Sequence, residues 1–219
     1  MKPTITRTHI ALALTAGLLA AFGFLAEDVI EGETRAFDEA VLLSFRVAGN
    51  PQLPIGPAWL VEAARDVTAL GSFSVLGILL ILLVVHLLLE RNVKAAALIG
   101  GSVITGTAIS TALKHAFNRP RPDLTGVAQV FTASFPSGHA LVSAVTFLTI
   151  GTVLAGTTDK VWFRVFYISS AILLTLVVGL SRIYLGVHYP TDVIAGWSLG
   201  AAWSIICFLF ARALGARRT

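Results

Sequence analysis

Apolar runs dominate this chain, and the few polar residues gather into short islands between them. The runs read as 10–26, 70–89, 95–113, 137–155, 164–181 and 191–210, each near the ~20 residues a helix needs to cross a bilayer. The fourth has the shortest apolar core, so its helix is expected to begin at Ser137 or before. A short basic start (Lys2, Arg7) precedes the first run, which also suits a secretory signal. That run is long for a signal core, however, and no clear Ala-x-Ala site precedes Glu27-Asp28. An uncleaved first span is expected.

The stretch 27–68 is the one substantial region expected outside the hydrocarbon. Its acids bunch early (Glu27, Asp28, Glu31, Glu33, Asp38, Glu39). Phe37, Val41, Leu42 and Phe45 fall at i, i+4, i+5 and i+8, one face of a helix. Asn50-Pro51 and Gly56-Pro57 break the chain, and 59–66 has the pattern of a second short amphipathic helix. The pattern predicts an all-α fold: an integral membrane six-helix transmembrane bundle, a single domain over 1–219. Short amphipathic helices between spans 1 and 2 are expected in the interface plane, apolar faces toward lipid.

Composition agrees with that class. At 56% hydrophobic residues, mean hydropathy +0.83 and 13% charged residues, there is too little polar surface to cover a soluble globule of 219 residues. The net charge of +4 is dispersed, with no basic stripe or aromatic-basic interleaving, which excludes nucleic acid as a partner. The bilayer is the expected partner. A lone Cys207 in the last apolar run forms no intrachain disulfide, and no Cys/His cluster points to a metal. No cofactor is expected.

Charge placement fixes an expected topology. With the N-terminus inside, the inner segments hold Lys2, Arg7, Arg91, Lys94, Lys160, Arg164, Arg212, Arg217 and Arg218, against Glu90 and Asp159. The remaining ten of the twelve acids lie outside; setting aside Lys114, Arg119, Arg121 and Arg182 of the polar islands, only Arg35, Arg46 and Arg65 join them there. This is the positive-inside pattern, with both termini cytoplasmic. It places three polar islands on one outer face.

Those islands are Lys114 to Pro122, Pro136-Ser137-Gly138-His139, and Ser181 to Asp192. Lys114, Arg121 and Arg182 sit at expected helix ends, and three neighbouring cations repel unless a multiply charged anion lies among them. Arginine forks match phosphate oxygens. Pro120 and Pro122 stiffen the backbone around Arg121. Ser137-Gly138 opens a helix whose free N–H groups favour an anion, and Gly138 permits close approach. His188 and Asp192 are four apart. The carboxylate can accept a proton from one ring nitrogen and leave the other as a nucleophile. His139, beside the cradle, can protonate a leaving oxygen. His9, His86 and His115 carry no such context and read as structural.

Lys114-x6-Arg121-Pro122, Pro136-Ser137-Gly138-His139 and Ser181-Arg182-x5-His188-x3-Asp192 resemble the complete three-part signature of the type 2 phosphatidic acid phosphatase (PAP2) superfamily. The resemblance implies a metal-independent membrane lipid phosphatase. It implies that His188 forms a phosphohistidine, oriented by Asp192, with His139 as general acid and then base. Lys114, Arg121, Ser137, Gly138 and Arg182 would hold the phosphoryl oxygens; Ser181 is assigned no contact. Phosphatidylglycerophosphate, phosphatidic acid and undecaprenyl diphosphate are the family's substrate candidates. The compact chain is similar to bacterial members, implying a bacterial cytoplasmic membrane with the site on the periplasmic side. Two other readings stand beside this one: a phospholipid binder or transporter without turnover, and a vanadate-dependent haloperoxidase, which six spans disfavour.

Overall fold

The computed structural model describes residues 2–124 and 132–216. Arg217, Arg218, the side chains of Lys2 and Arg7, and the 125–131 part of the loop between the third and fourth expected spans lie outside the described residues. The order of elements is α1 (Lys2–Glu31), α2 (Arg35–Ser44), β1 (Arg46–Val47), β2 (Asn50–Pro54), α3 (Ala58–Ala69), α4 (Phe73–Leu89), α5 (Val93–Phe117), α6 (Gly138–Gly156), α7 (Val161–Tyr184) and α8 (Pro190–Ala216). Five of these helices are long and apolar enough to cross a membrane. The pair α3 and α4, bent by 45° at a short break, makes a sixth if it is one span.

Local chemistry sets the helix starts. Ser72, Asn92 and Ser137 are N-caps whose side chains accept from Val75, Ala95 and Ala140 N–H respectively, satisfying donors that a first turn leaves open. At the other end of α5, Asn118 adopts the left-handed conformation (φ 44°, ψ 34°), and its N–H closes on Lys114 O at 3.0 Å. Asparagine tolerates this geometry better than most residues. The turn sends the chain directly into the Arg119–Pro122 segment.

α6 is the centre of the bundle. Ala140, Leu141, Val142, Ala144 and Val145 are all buried, and α5, α7 and α8 pack around it. The α8 contact is backbone-close because small residues line it: a Cβ on Gly196 would lie 2.8 Å from Ser137 O, and one on Gly200 2.6 Å from Leu141 O. Gly196 and Gly200 are four apart, the spacing by which membrane helices approach closely. The approach seats the start of α6 beside the start of α8, where Ser137 N donates to Asp192 O at 2.9 Å. Gly200→Leu is therefore expected to force the two helices apart at a cost of about 1–3 kcal/mol. A lower thermal midpoint in detergent, with a matching loss of activity, checks this. Outward, Ile78, Ile81 and Leu82 of α4 and Phe166 and Leu173 of α7 are exposed, as lipid-facing positions require.

The 27–68 region departs from the expected pattern in two ways. Phe37 is 52% exposed, whereas Asp38 and Leu42 are buried at 0% and 1%. The inward face of α2 thus runs through Asp38 and Leu42, and its buried carboxylate packs against protein. Hydrophobic spacing missed this because it scores Asp38 as solvent-facing. Second, residues 46–54 form a small antiparallel hairpin, with Arg46 opposite Pro54 and Gly49 at φ 79° in the turn. Arg46 reaches from it to Tyr184 O at 2.8 Å, a cation on the carboxyl end of α7.

Candidate active site

Five helix ends and two connections meet at one end of the bundle. Lys114 comes from the carboxyl end of α5, and Ser137, Gly138 and His139 from the start of α6. Arg182 lies in the last turn of α7, Asp192 in the first turn of α8, Arg121 and His188 in the connections, and Asp38 on α2. All eight residues singled out in the sequence come together here. His188 interacts electrostatically with Arg121, Arg182, Lys114 and His139, and His139 with the same three cations.

The cations are anchored from behind. Lys114 Nζ donates to Ala133 O at 2.6 Å and its stem passes the start of α6, where a Cβ on Gly138 would come within 3.3 Å of Cε. A side chain at 138 would press on the lysine stem and shift it. Arg121 donates through Nε to Thr132 O at 2.8 Å and through Nη1 to Val187 O at 2.8 Å. Arg182 Nη1 donates to Thr68 of α3 at 3.0 Å, while its buried Nε has no partner among the described residues. Ser110 Oγ, beside Gly138, is likewise buried and without a partner among them. Buried donors left open next to three cations are what an oxyanion would satisfy.

The histidine geometry decides the tautomer. Arg121 Nη1 lies 3.1 Å from His188 Nε2, and a guanidinium can only donate, so Nε2 carries the lone pair. The ring proton therefore sits on Nδ1, which faces Asp192 Oδ2 at 3.3 Å. The same oxygen accepts the Tyr189 N–H at 2.9 Å. His139 is partly exposed and, among the described residues, free of hydrogen bonds through its ring. The result is a lone pair, a carboxylate behind it, three cations around it and a second imidazole opposite.

His188 is fully buried, and burial first, then Arg121, Arg182 and Lys114, push it well below the ordinary imidazole range. It stays neutral at neutral pH. A folded-state value below the unfolded one means that protons bind the unfolded chain more readily. This contribution to stability is therefore present above about pH 6.5 and lost as pH falls below it. Thermal midpoints in detergent are expected to drop through that window, and His188→Ala should flatten the slope.

Arg119 and Asp38 had no role in the sequence reading, yet they are part of the constellation. Arg119 Nη1 donates to Asp192 Oδ1 at 2.7 Å, and Nη2 donates to Asp38 Oδ2 at 2.8 Å. The signal lay in a second arginine within Arg119-Pro-Arg121-Pro and an acid on an apolar face. A groove of about 700 Å³ between the start of α5 and the end of α8, lined by Val93, Trp203 and Leu214, is at the opposite end of the bundle from this chemistry.

A family model described as the PAP2 superfamily matches residues 95–216. The chain is similar to phosphatidylglycerophosphatase B of Bacillus subtilis (strain 168), at 29% identity over 185 residues, 84% of this chain and 87% of that protein. It is also similar to lipid A 1-phosphatase of Rhizobium etli, at 30% identity over 70% of this chain and 74% of that protein. Among solved structures, the transmembrane PAP2 type phosphatidylglycerolphosphate phosphatase from Bacillus subtilis superposes with a TM-score of 0.81 at 27% identity. The match covers 91% of this chain and 96% of that one.

Proposed function

The chain belongs to the PAP2 superfamily and is an integral membrane lipid phosphatase, and from that premise we propose that it cleaves a terminal phosphate from a membrane lipid through a phosphohistidine on His188. The observation that carries the mechanism is the fixed tautomer. Nε2 bears a lone pair amid Lys114, Arg121 and Arg182, while Nδ1–H faces Asp192. A binder would need the cations but not a ring nitrogen held this way.

In the first step Nε2 forms a bond to phosphorus as the bond to the lipid oxygen breaks. His139, entering as the imidazolium once the phosphate dianion is bound, gives a proton to that oxygen and is left neutral, releasing the lipid alcohol or, from a diphosphate, the monophosphate. Lys114, Arg121, Arg182, the Ser137 hydroxyl and the Gly138 N–H hold the equatorial oxygens, where charge grows in the transition state. In the second step His139 takes a proton from water, the hydroxyl attacks phosphorus, and the P–N bond breaks to regenerate His188 and free phosphate.

Helix-end geometry suits a substrate whose head lies at the interface and whose tail stays in lipid. Positive-inside charge placement supports an outer, periplasmic site, cytoplasmic termini and six spans with α3 and α4 as one. Similarity along most of the chain to phosphatidylglycerophosphatase B favours phosphatidylglycerophosphate first, ahead of phosphatidic acid and undecaprenyl diphosphate. The test is phosphate release by the detergent-purified protein from these three lipids and a soluble phosphomonoester, with EDTA throughout. Release from one lipid that persists in EDTA supports the proposal; release only from the soluble ester, or only with added Mg²⁺, sinks it.

A further inference from the structure

We propose that Arg119 and Asp38 are positioning residues for hydrolysis, a buried ionic chain through which helix α2 aims the carboxylate of Asp192 at His188; the inference rests on His188 being the nucleophile. Arg119 differs from the cradle cations in where its nitrogens go. Both terminal nitrogens end on buried carboxylates, Nη1 on Asp192 Oδ1 at 2.7 Å and Nη2 on Asp38 Oδ2 at 2.8 Å. Thr191 Oγ1 at 3.0 Å and Thr34 Oγ1 at 3.3 Å complete its contacts, and the Tyr189 ring lies 4.3 Å beneath the guanidinium. Little capacity remains for a substrate oxygen.

Asp38 in turn grips the start of α8. Its Oδ1 accepts the Thr191 N–H at 3.0 Å and its Oδ2 the Thr191 hydroxyl at 2.6 Å. A side chain of α2 thus caps the amino end of the helix carrying Asp192. With Oδ1 of Asp192 held by Arg119, the carboxylate plane is set, and Oδ2 is left to face Nδ1 of His188 and the Tyr189 N–H. Without Arg119 only the Tyr189 N–H on Oδ2 still fixes the carboxylate, Oδ1 loses its partner, and the charge beside His188 is no longer shared with that cation.

The test compares Arg119→Gln, Arg119→Lys, Asp38→Asn and the double variant Asp38→Asn/Arg119→Gln in the full-length protein, on the lipid that the wild type cleaves fastest. Arg119→Gln should lower kcat about a hundredfold with KM little changed, the scale of a small misplacement of reacting groups. It should also move the acid limb of kcat/KM to higher pH, because an unshared Asp192 charge favours the imidazolium. The other groups facing His188 remain in the variant: Lys114 from α5, His139 from α6, Arg182 from α7 and Arg121 from the loop. Arg119→Lys should restore part of kcat, and Asp38→Asn should cost nothing further once Arg119 is gone. Arg35→Ala, which breaks an exposed pair with Glu39 on the same helix, should leave activity unchanged.

A folded Arg119→Gln protein with wild-type kcat and an unmoved acid limb overturns the inference, as does a loss confined to KM. If Arg119→Gln does not fold, the acid limb of Asp38→Asn decides in the same way. His188→Ala is run alongside. If it stays active, the nucleophile assignment itself has failed; if it is dead while Arg119→Gln is normal, only the positioning role has failed.

Discussion

His188→Ala is expected to reduce phosphate release to background, a loss on the order of 10⁶-fold, as when a covalent nucleophile is removed. The size follows from the role proposed for the ring, making and breaking the P–N bond; among the described residues, nothing else near the cradle offers a lone pair held toward the same point. His139 is the nearest alternative, but among the described residues no carboxylate stands behind it. Binding should survive, because Lys114, Arg121 and Arg182 keep their anchors on Ala133, Thr132 and Thr68. The variant also frees Arg121 Nη1 from Nε2 to meet a substrate oxygen. Two measurements check this: turnover against the wild type, and labelled phosphate retained on the protein after a rapid quench. Acid-labile label in the wild type, absent from a folded variant that still binds vanadate, is the expected pair. Turnover within tenfold of wild type would place the nucleophile elsewhere.

The bundle and the cradle were legible because each rests on a local rule. Apolar runs near the length of a bilayer mark the helices, and cations and histidines stand out against them. The helices overrun the apolar segments: α1 continues to Glu31 and α7 to Tyr184, since a backbone ladder does not stop where the hydrocarbon does. Gly196 and Gly200 were visible at a four-residue spacing, but which helix they admit depends on tertiary packing. Asp38 and Arg119 were hidden for another reason. Separated by 81 positions, they acquire meaning only when α2 folds back over the start of α8. Charge patterning alone reads Asp38 as one more acid in an acidic stretch and Arg119 as one more island cation.

Asp192→Asn is expected to lower kcat about 10⁴-fold with the fold retained, the cost seen when an orienting carboxylate becomes an amide. The amide is nearly isosteric, so the effect is one of hydrogen-bond polarity. Both oxygens of Asp192 are acceptors: Oδ1 takes Arg119 Nη1–H, and Oδ2 takes the Tyr189 N–H and faces His188 Nδ1. An asparagine must put its NH₂ on one side. Toward Arg119 it sets donor against donor and leaves a buried guanidinium with one carboxylate fewer. Toward His188 it opposes the Tyr189 N–H and favours the tautomer with the proton on Nε2, which removes the lone pair aimed at phosphorus. Neither orientation keeps both the cation held and the nucleophile armed. The check is a comparison with Asp192→Ala under identical conditions: similarly low kcat in both, with KM near wild type, is expected. An Asp192→Asn enzyme retaining more than about a tenth of wild-type kcat, a barrier change under ~1.4 kcal/mol, would mean that the carboxylate's charge and acceptor pattern do not orient His188.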